Sequence, residues 1–287
     1  MPYTPGASLG GRRVDLGSIS LGMVDAAGVA WHLQELEGWD SPDLRAEYSA
    51  READHGAWAA PVYLSQRPIT LAGRIEAGNI ASLDSAVEQM IAACSLTDTT
   101  LTVYETTAKQ ATVRRSGKPL IRPITDRIAQ YSLLVTAADP RRYSTVLQSQ
   151  STALPSVTGG VTLPITMPLT ITATTVSGSI TLTNTGSIAT RPTLTIAGPV
   201  VTPTIVAALP GGAVTQIIYG DTLQAGDVLV IDSAARTVVL NGTASRRLYF
   251  SGTWPEVPAG SNVTYSWSSP VYEPTALLTG TCRSAWM

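Results

Sequence analysis

At 287 residues the chain can hold two medium-sized domains, each burying its own core. With 44% hydrophobic and only 14% charged residues, and with Ala, Val, Ile, Leu and Thr abundant, it is globular, charge-poor and strand-favouring. A formal net charge of -2 excludes the basic patch that phosphate neutralisation needs, so specific nucleic-acid binding is not expected.

Pro2, Pro5, Gly6, Gly10 and Gly11 interrupt the first residues, and no charged segment followed by an apolar run is found there, so export by a secretory leader is not expected. Residues 18–24 and 29–37 read as two strands joined by the turn Asp25-Ala26-Ala27-Gly28, a hairpin. Residues 44–60 mix charges, small residues and Gly56 and read as a long surface loop. Strand character resumes at 62–64 and 69–76. Residues 82–95 form the one convincing helix, with Ser82 as cap, Asp84 in the first turn, and Leu83, Val87, Met90, Ile91 and Cys94 as its apolar stripe. Strands follow at 101–105, 111–114 and 127–137, with Ser116-Gly117 as a turn. Asp139-Pro140-Arg141-Arg142-Tyr143 then reads as a linker, because the residue before proline is pushed out of helix.

Thirty of the forty Lys, Arg, Asp and Glu residues lie within 1–142, and ten within 143–287. That contrast divides the chain into an N-terminal domain over 1–142 and a C-terminal domain over 143–287. Between Arg142 and Arg191 there is no charge at all, yet Thr, Ser, Gly and Pro break the stretch too often for the ~20 continuous apolar residues of a membrane span. No membrane insertion is expected. Short strands recur at 161–171, 176–184, 191–198, 214–219, 228–232 paired with 237–241, 247–250, 262–267 and 276–284. Turns such as Asn241-Gly242 and Pro258-Ala259-Gly260 separate them. The fold class is therefore mainly β: an N-terminal β-sandwich-like domain with one α-helix, and a C-terminal antiparallel β-sandwich.

The inventory for chemistry is thin. A Ser-His-acid relay needs a histidine, and only His32, in the alternating run Trp31-His32-Leu33-Gln34, and His55, in a charged loop, are available. A strand face and a solvated turn explain them. Cys94 and Cys282 are far apart and read as buried small hydrophobes, without a disulfide framework or a metal site. The carboxylate pairs Glu35 with Glu37 and Asp40 with Asp43 share exposed surface more readily than they do acid-base work. No glycine loop of nucleotide-binding spacing occurs, so no catalytic residue and no cofactor are expected. Among the six tryptophans, Trp254 and Trp267 are candidates for glycan stacking, with burial in the sandwich core as the plainer alternative. Trp39 and Trp58, together with Leu44 and Arg45 in the loop, are candidates for contacts between subunits.

Several segments, in this order and spacing, resemble the siphophage distal tail protein family. In the first domain they are Arg67-Pro68-Ile69-Thr70-Leu71-Ala72-Gly73-Arg74-Ile75 and Ala138-Asp139-Pro140-Arg141-Arg142-Tyr143. In the second they are Thr183-Asn184-Thr185-Gly186, Arg191-Pro192-Thr193-Leu194-Thr195-Ile196-Ala197-Gly198, Ala225-Gly226-Asp227-Val228-Leu229-Val230-Ile231-Asp232 and Val238-Val239-Leu240-Asn241-Gly242. Val257-Pro258-Ala259-Gly260-Ser261-Asn262-Val263-Thr264 completes the set. The resemblance spans nearly the whole chain. It implies a virion protein at the distal end of a phage tail: an N-terminal belt domain forming a hexameric ring around the DNA conduit, and an outward galectin-like domain. The implied partners are the tail tube protein, the tape-measure protein and the central tip (tail-associated) protein. A carbohydrate-binding adhesin that touches the host envelope is the alternative, and an envelope-degrading hydrolase stands behind both.

Overall fold

The computed structural model describes residues 12–158 and 174–287. Its contacts divide the chain into two units, Met1–Thr145 together with Met287, and Val146–Trp286.

In the first unit strict period-2 alternation builds one antiparallel sheet. The strands of this unit in chain order are β1 (Val14–Leu16), β2 (Ile19–Leu21), β3 (Met23–Val24), β4 (Ala30–Glu37), four short strands outside the main sheet, β5 (Leu44–Arg45), β6 (Tyr48–Ala50), β7 (Ala57–Ala59) and β8 (Tyr63–Leu64), and then β9 (Arg67–Glu76). After the helix α1 (Ile80–Ala93) come β10 (Thr99–Val103), β11 (Lys109–Arg115), β12 (Leu120–Thr125), β13 (Ile128–Ala137) and β14 (Arg142–Ser144). The main path runs β2-β1-β10-β11-β13-β9-β4-β3. Its two ends are consecutive pieces of one run, broken at Gly22, whose N–H donates to the Trp31 carbonyl at 2.6 Å. The sheet thus closes on itself around a single core of inward side chains such as Leu16, Leu33, Leu71, Ile75, Leu101 and Leu133. Gly22 makes that closure feasible: its φ is +83°, and a Cβ would sit 2.4 Å from the Arg12 carbonyl oxygen.

The expected hairpin at 18–37 forms, with Met23 opposite Trp31. Asp25 organises its turn by accepting from the N–H groups of Ala27 and Val29 at 2.9 Å and from the Trp31 indole at 3.0 Å. The helix begins earlier than expected. Asn79 is the cap, its side chain accepting from the Ser82 N–H at 2.9 Å while Ser82 Oγ accepts from the Asn79 N–H at 3.2 Å. Ser82 is thus the third residue of a capping box. The buried face is correspondingly Leu83, Ala86, Met90 and Ala93, and Ile91 is 39% exposed. Small alanines let the helix lie close on the sheet. Strand β12, which contains Pro123, was not among the expected strands. It pairs with β13 alone and shifts register between Pro123 and Thr125, the edge position that tolerates a missing N–H.

Residues 44–60 are not an irregular loop. Strand β5 pairs with β8 and β6 with β7, in registers such as Leu44 opposite Leu64 and Ser49 opposite Trp58, and the bonds Ser65 N–H to Asp43 O, Ala60 N–H to Glu47 O and Arg51 N–H to Gly56 O extend the two pairings. This hairpin arm carries no inward face, which is why alternation did not announce it.

The second unit is a two-layer antiparallel sandwich. Its strands are β15 (Gln148–Ala153), β16 (Ser156–Thr158), β17 (Thr174–Val176), β18 (Ser179–Asn184), β19 (Thr193–Ala197), β20 (Val200–Val201), β21 (Thr204–Ala208), β22 (Val214–Tyr219) and β23 (Thr222–Leu223). Then follow β24 (Val228–Asp232), β25 (Thr237–Leu240), β26 (Ala244–Ser245), β27 (Phe250–Gly252), β28 (Ser261–Ser268) and β29 (Leu277–Cys282). One layer runs β15-β29-β19-β24-β25-β26 and the other β18-β28-β21-β22-β27. Leu194, Ile196, Ile231 and Leu278 from the first share one core with Leu182, Ile205, Val263 and Trp267 from the second. The layers meet so closely at Gly280 that a Cβ there would lie 2.4 Å from Ile180 Cδ1. The expected pairing of 228–232 with 237–241 forms. Residues 247–250 are instead a 3-10 turn, Arg247–Tyr249, leading into β27. Polar β15, an edge strand, and β21, close to prolines, were not expected. The expected strand at 161–171 lies outside the described residues.

Candidate functional site

The arm and its anchorage are the most distinctive feature of the first unit. Every residue from 43 to 63 is exposed. Among them Leu44 is 62%, Tyr48 66%, Trp58 67% and Tyr63 61% exposed, large apolar side chains that an isolated ribbon has no means to bury. Cross-strand pairing puts Trp58 and Ser49 on one face and Tyr48 with Ala59 on the other. The Arg51 guanidinium lies over the Trp58 ring, 4.5 Å from its centroid, and pairs with Asp54 at 3.3 Å. Leu44 and Arg45, at the arm's base, are exposed as subunit-contact candidates must be, and so is Trp58.

Trp39 is a correction. It is 1% exposed, its indole donates to Glu105 Oε1 at 2.8 Å, and Glu105 also accepts from Lys109 Nζ at 2.7 Å. It is a core residue at the arm's root and offers nothing to a neighbour. Beside it Arg67, fully buried, donates from Nη1 to the carbonyls of Trp39 at 2.5 Å and Gly38 at 3.2 Å, and from Nε to that of Pro140 at 2.9 Å. Burial, with Arg142 nearby and Asp40 opposing, brings this guanidinium down to about 10. One planar fork therefore ties the start of the arm to the end of β13. The motif beginning Arg67-Pro68 signalled that residue, but its cradle of carbonyls is assembled only by the fold.

The motifs of the second unit prove to be clasps. Asn184, fully buried, donates to the carbonyls of Ile188 at 2.7 Å and Val257 at 3.1 Å and accepts from the N–H groups of Gly186 at 3.0 Å and Ala285 at 3.1 Å. A Cβ at Gly186 would sit 1.8 Å from the Ala285 carbonyl oxygen, so the Asn-Thr-Gly sequence is dictated by packing. Asn241, at φ +52°, accepts from the Val228 N–H at 2.8 Å and donates to Asp227 at 2.9 Å, locking the β24–β25 hairpin.

Of the two tryptophans proposed for glycan stacking, one is sealed in the core and the other is half-buried. Trp267 is 2% exposed and its indole donates to the Ala153 carbonyl at 3.0 Å, so it belongs to the core. Trp254 is half-buried, stacked on Phe250 at 4.4 Å, with the Arg247 guanidinium 5.0 Å from its centroid. His32 lies on β4, its Nε2 3.4 Å from Glu76 Oε2. His55 sits in the arm's turn, its N–H donating to Asp54 at 2.7 Å. Both cysteines are buried and unpaired with each other; burial raises both thiols, Cys282 to about 11. Among the described residues no group of three His, Cys, Asp or Glu side chains could hold a metal ion, and no helix is long and apolar enough to cross a membrane.

Residues 185–273 match the model of a siphovirus-type tail component, C-terminal domain. No curated protein matches the chain. Among solved structures it is similar to the SPP1 Dit protein, described as a paradigm of hub adsorption apparatus in Gram-positive infecting phages. The identity is 13% and the TM-score 0.60, with 89% of this chain and 93% of that one covered. It is also similar to a chain of the phage P2 baseplate in its activated conformation with Ca, at 11% identity and TM-score 0.50, with 94% and 97% covered. By sequence residues 185–273, within the second unit, are similar to the siphovirus-type tail component family, and along nearly its whole length the chain has the fold of the SPP1 Dit protein.

Proposed function

We propose that this protein is a structural hub at the distal end of a phage tail, a ring that joins the tail tube to the tip or baseplate proteins and lets DNA pass without chemistry. The match of residues 185–273 to a tail component domain carries the reading, and the extended similarity to a hub protein supports it. The first unit supplies the belt, its exposed arm reaching a neighbouring copy through Leu44, Arg45 and Trp58. The second unit is the outward, galectin-like domain. Six copies, the tail tube protein, the tape-measure protein and the central tip protein make up the proposed assembly. A head-to-tail contact that closes under rotation gives such a ring, and it needs broad uncharged edges in place of a cleft. The adhesin reading is weaker, because Trp267 is sealed in the core and Trp254 is half-buried with one ring face stacked on Phe250.

Electron microscopy of the purified protein and of virions, with native mass measurement, tests the reading. Six-membered rings at the end of the tube are expected. A stable monomer that is absent from the tail axis, or a saturable glycan signal from such a monomer, would overturn it in favour of the adhesin.

A further inference from the structure

A second apolar surface lies on the same unit as the arm. Helix α1 and edge strand β12 leave between them a groove of about 600 Å³, lined by Ile80, Val87, Ile91, Ile121 and Ile124. Ile80 is 56%, Ile91 39% and Ile124 60% exposed, so branched aliphatic side chains lie open on the groove's surface. Its charged lining residues, Asp84 and Asp126, are both acids. Because β12 pairs only with β13, nothing in the sheet covers its outer side.

We infer that this groove receives the hairpin arm of a second copy of the chain, with Trp58 as the anchor. The inference rests on the ring reading above and names the surface that the arm meets. Three observations favour a second copy as the occupant. The first is position. The arm enters the sheet at Arg67, the first residue of β9, and α1 leaves after Glu76, its last. Through the pairing of β12 with β13 and of β13 with β9, Ile121 lies level with Gly73 and Thr125 with Glu76, so the β12 side of the groove spans the half of β9 remote from the arm. That is the arrangement of a head-to-tail contact, in which each copy gives at one end and receives at the other. The second is size: residues 43–63 are 21 consecutive exposed residues, and a stable interface uses about 20 to 30 per side. The third is chemistry. The exposed face of Trp58 is a rigid apolar anchor suited to an aliphatic groove, and Arg51, held over its other face, would arrive beside a rim that presents Asp84 and Asp126.

The test uses the full chain. One preparation carries Ser49→Cys, the cross-strand neighbour of Trp58, and another carries Thr125→Cys at the groove; the native thiols are buried. The two are mixed, allowed to assemble and oxidised, and the mass of the assembly is recorded in parallel. A disulfide between unlike copies is expected. Ile124→Glu, and separately Trp58→Ser on the arm, should each weaken self-association about tenfold or more while far-UV circular dichroism stays as in the parent. The arm variant lies outside both cores, so its result does not depend on the groove folding normally. Assembly without the mixed disulfide, or with both variants associating like the parent, would overturn the groove as the docking site and leave the ring reading intact. A disulfide confined to one copy would mean that the arm covers its own groove. Loss of association on Ile124→Glu without any disulfide would assign the groove to another segment; either result overturns the inference. No assembly in any preparation would overturn both the docking and the ring.

Discussion

Arg67 shows how much one buried cation can organise. It has no carboxylate in hydrogen-bond contact; its Nε and Nη1 donate to three backbone carbonyls on two segments far apart in sequence, while Nη2 is buried without a hydrogen-bond partner. Replacing it with Met would leave those carbonyls in a dry site, and we expect a loss of about 3 kcal/mol, read as a lower urea midpoint in Trp fluorescence. Arg67→Lys should recover only part of it, because a single ammonium cannot span the fork. An unchanged midpoint in Arg67→Met would show that the arm's root does not depend on this residue. Asn184 plays the same part in the second unit, pinning Val257 and Ala285 through one amide. Both residues stand inside the segments that carried the family resemblance, and both act through packing and hydrogen bonding.

At the scale of elements, the helix is held at its start by the reciprocal bonds of Asn79 and Ser82. Asn79→Ala should cost roughly 1 kcal/mol, whereas Asp84→Ala, distant from the cap bonds, should cost well under half of that; thermal melting of the two variants checks the difference. The arm behaves differently from every other element, because both of its faces are exposed. Trypsin should cut the unassembled protein first at Arg45 or Arg51, and those bonds should become resistant once rings form. Equal cutting before and after assembly would remove the arm from the interface. Strand β9 is restricted in another way: a Cβ at Gly73 would lie 1.9 Å from the His32 carbonyl oxygen, next to the bulge between Leu33 and Glu35. Glycine is there to let two strands and the Tyr131 hydroxyl meet, with that hydroxyl donating to His32 O at 2.9 Å.

Among the described residues the acids most sealed from water are phenols and thiols. Burial raises Tyr131, Tyr143 and Tyr265 well above the ordinary value of 10.0, aided at Tyr143 by the Asp139 charge, and raises Cys282 from 9.0 to about 11. These groups ionise more easily in the unfolded chain than in the folded one. Their contribution to stability is therefore complete below the unfolded values and lost as pH climbs through the folded ones. The melting temperature should stay level between pH 7 and about 9, then fall steeply beyond about 10. A flat profile up to pH 11 would mean that the phenols are not sealed from water. Because the two units have separate cores, residues 146–286 expressed alone should keep the near-ultraviolet signal of buried Trp267.

The sequence by itself determined the mainly β composition, one helix, the β24–β25 hairpin and the family resemblance, because period-2 burial, Asn-Gly turns and clasp motifs are local signals. It also placed Leu44, Arg45 and Trp58 on an exposed segment. What it left open depends on partners distant in the chain. Trp39 is buried with its indole on Glu105, 66 residues away and itself held by Lys109, and Trp267 with its indole on the Ala153 carbonyl. The arm escaped notice because a ribbon exposed on both faces has no hydrophobic period, and β12 because its proline is permitted only at an edge. Only the tertiary structure decided which residues sit at edges, and so which apolar side chains remain for another molecule to cover.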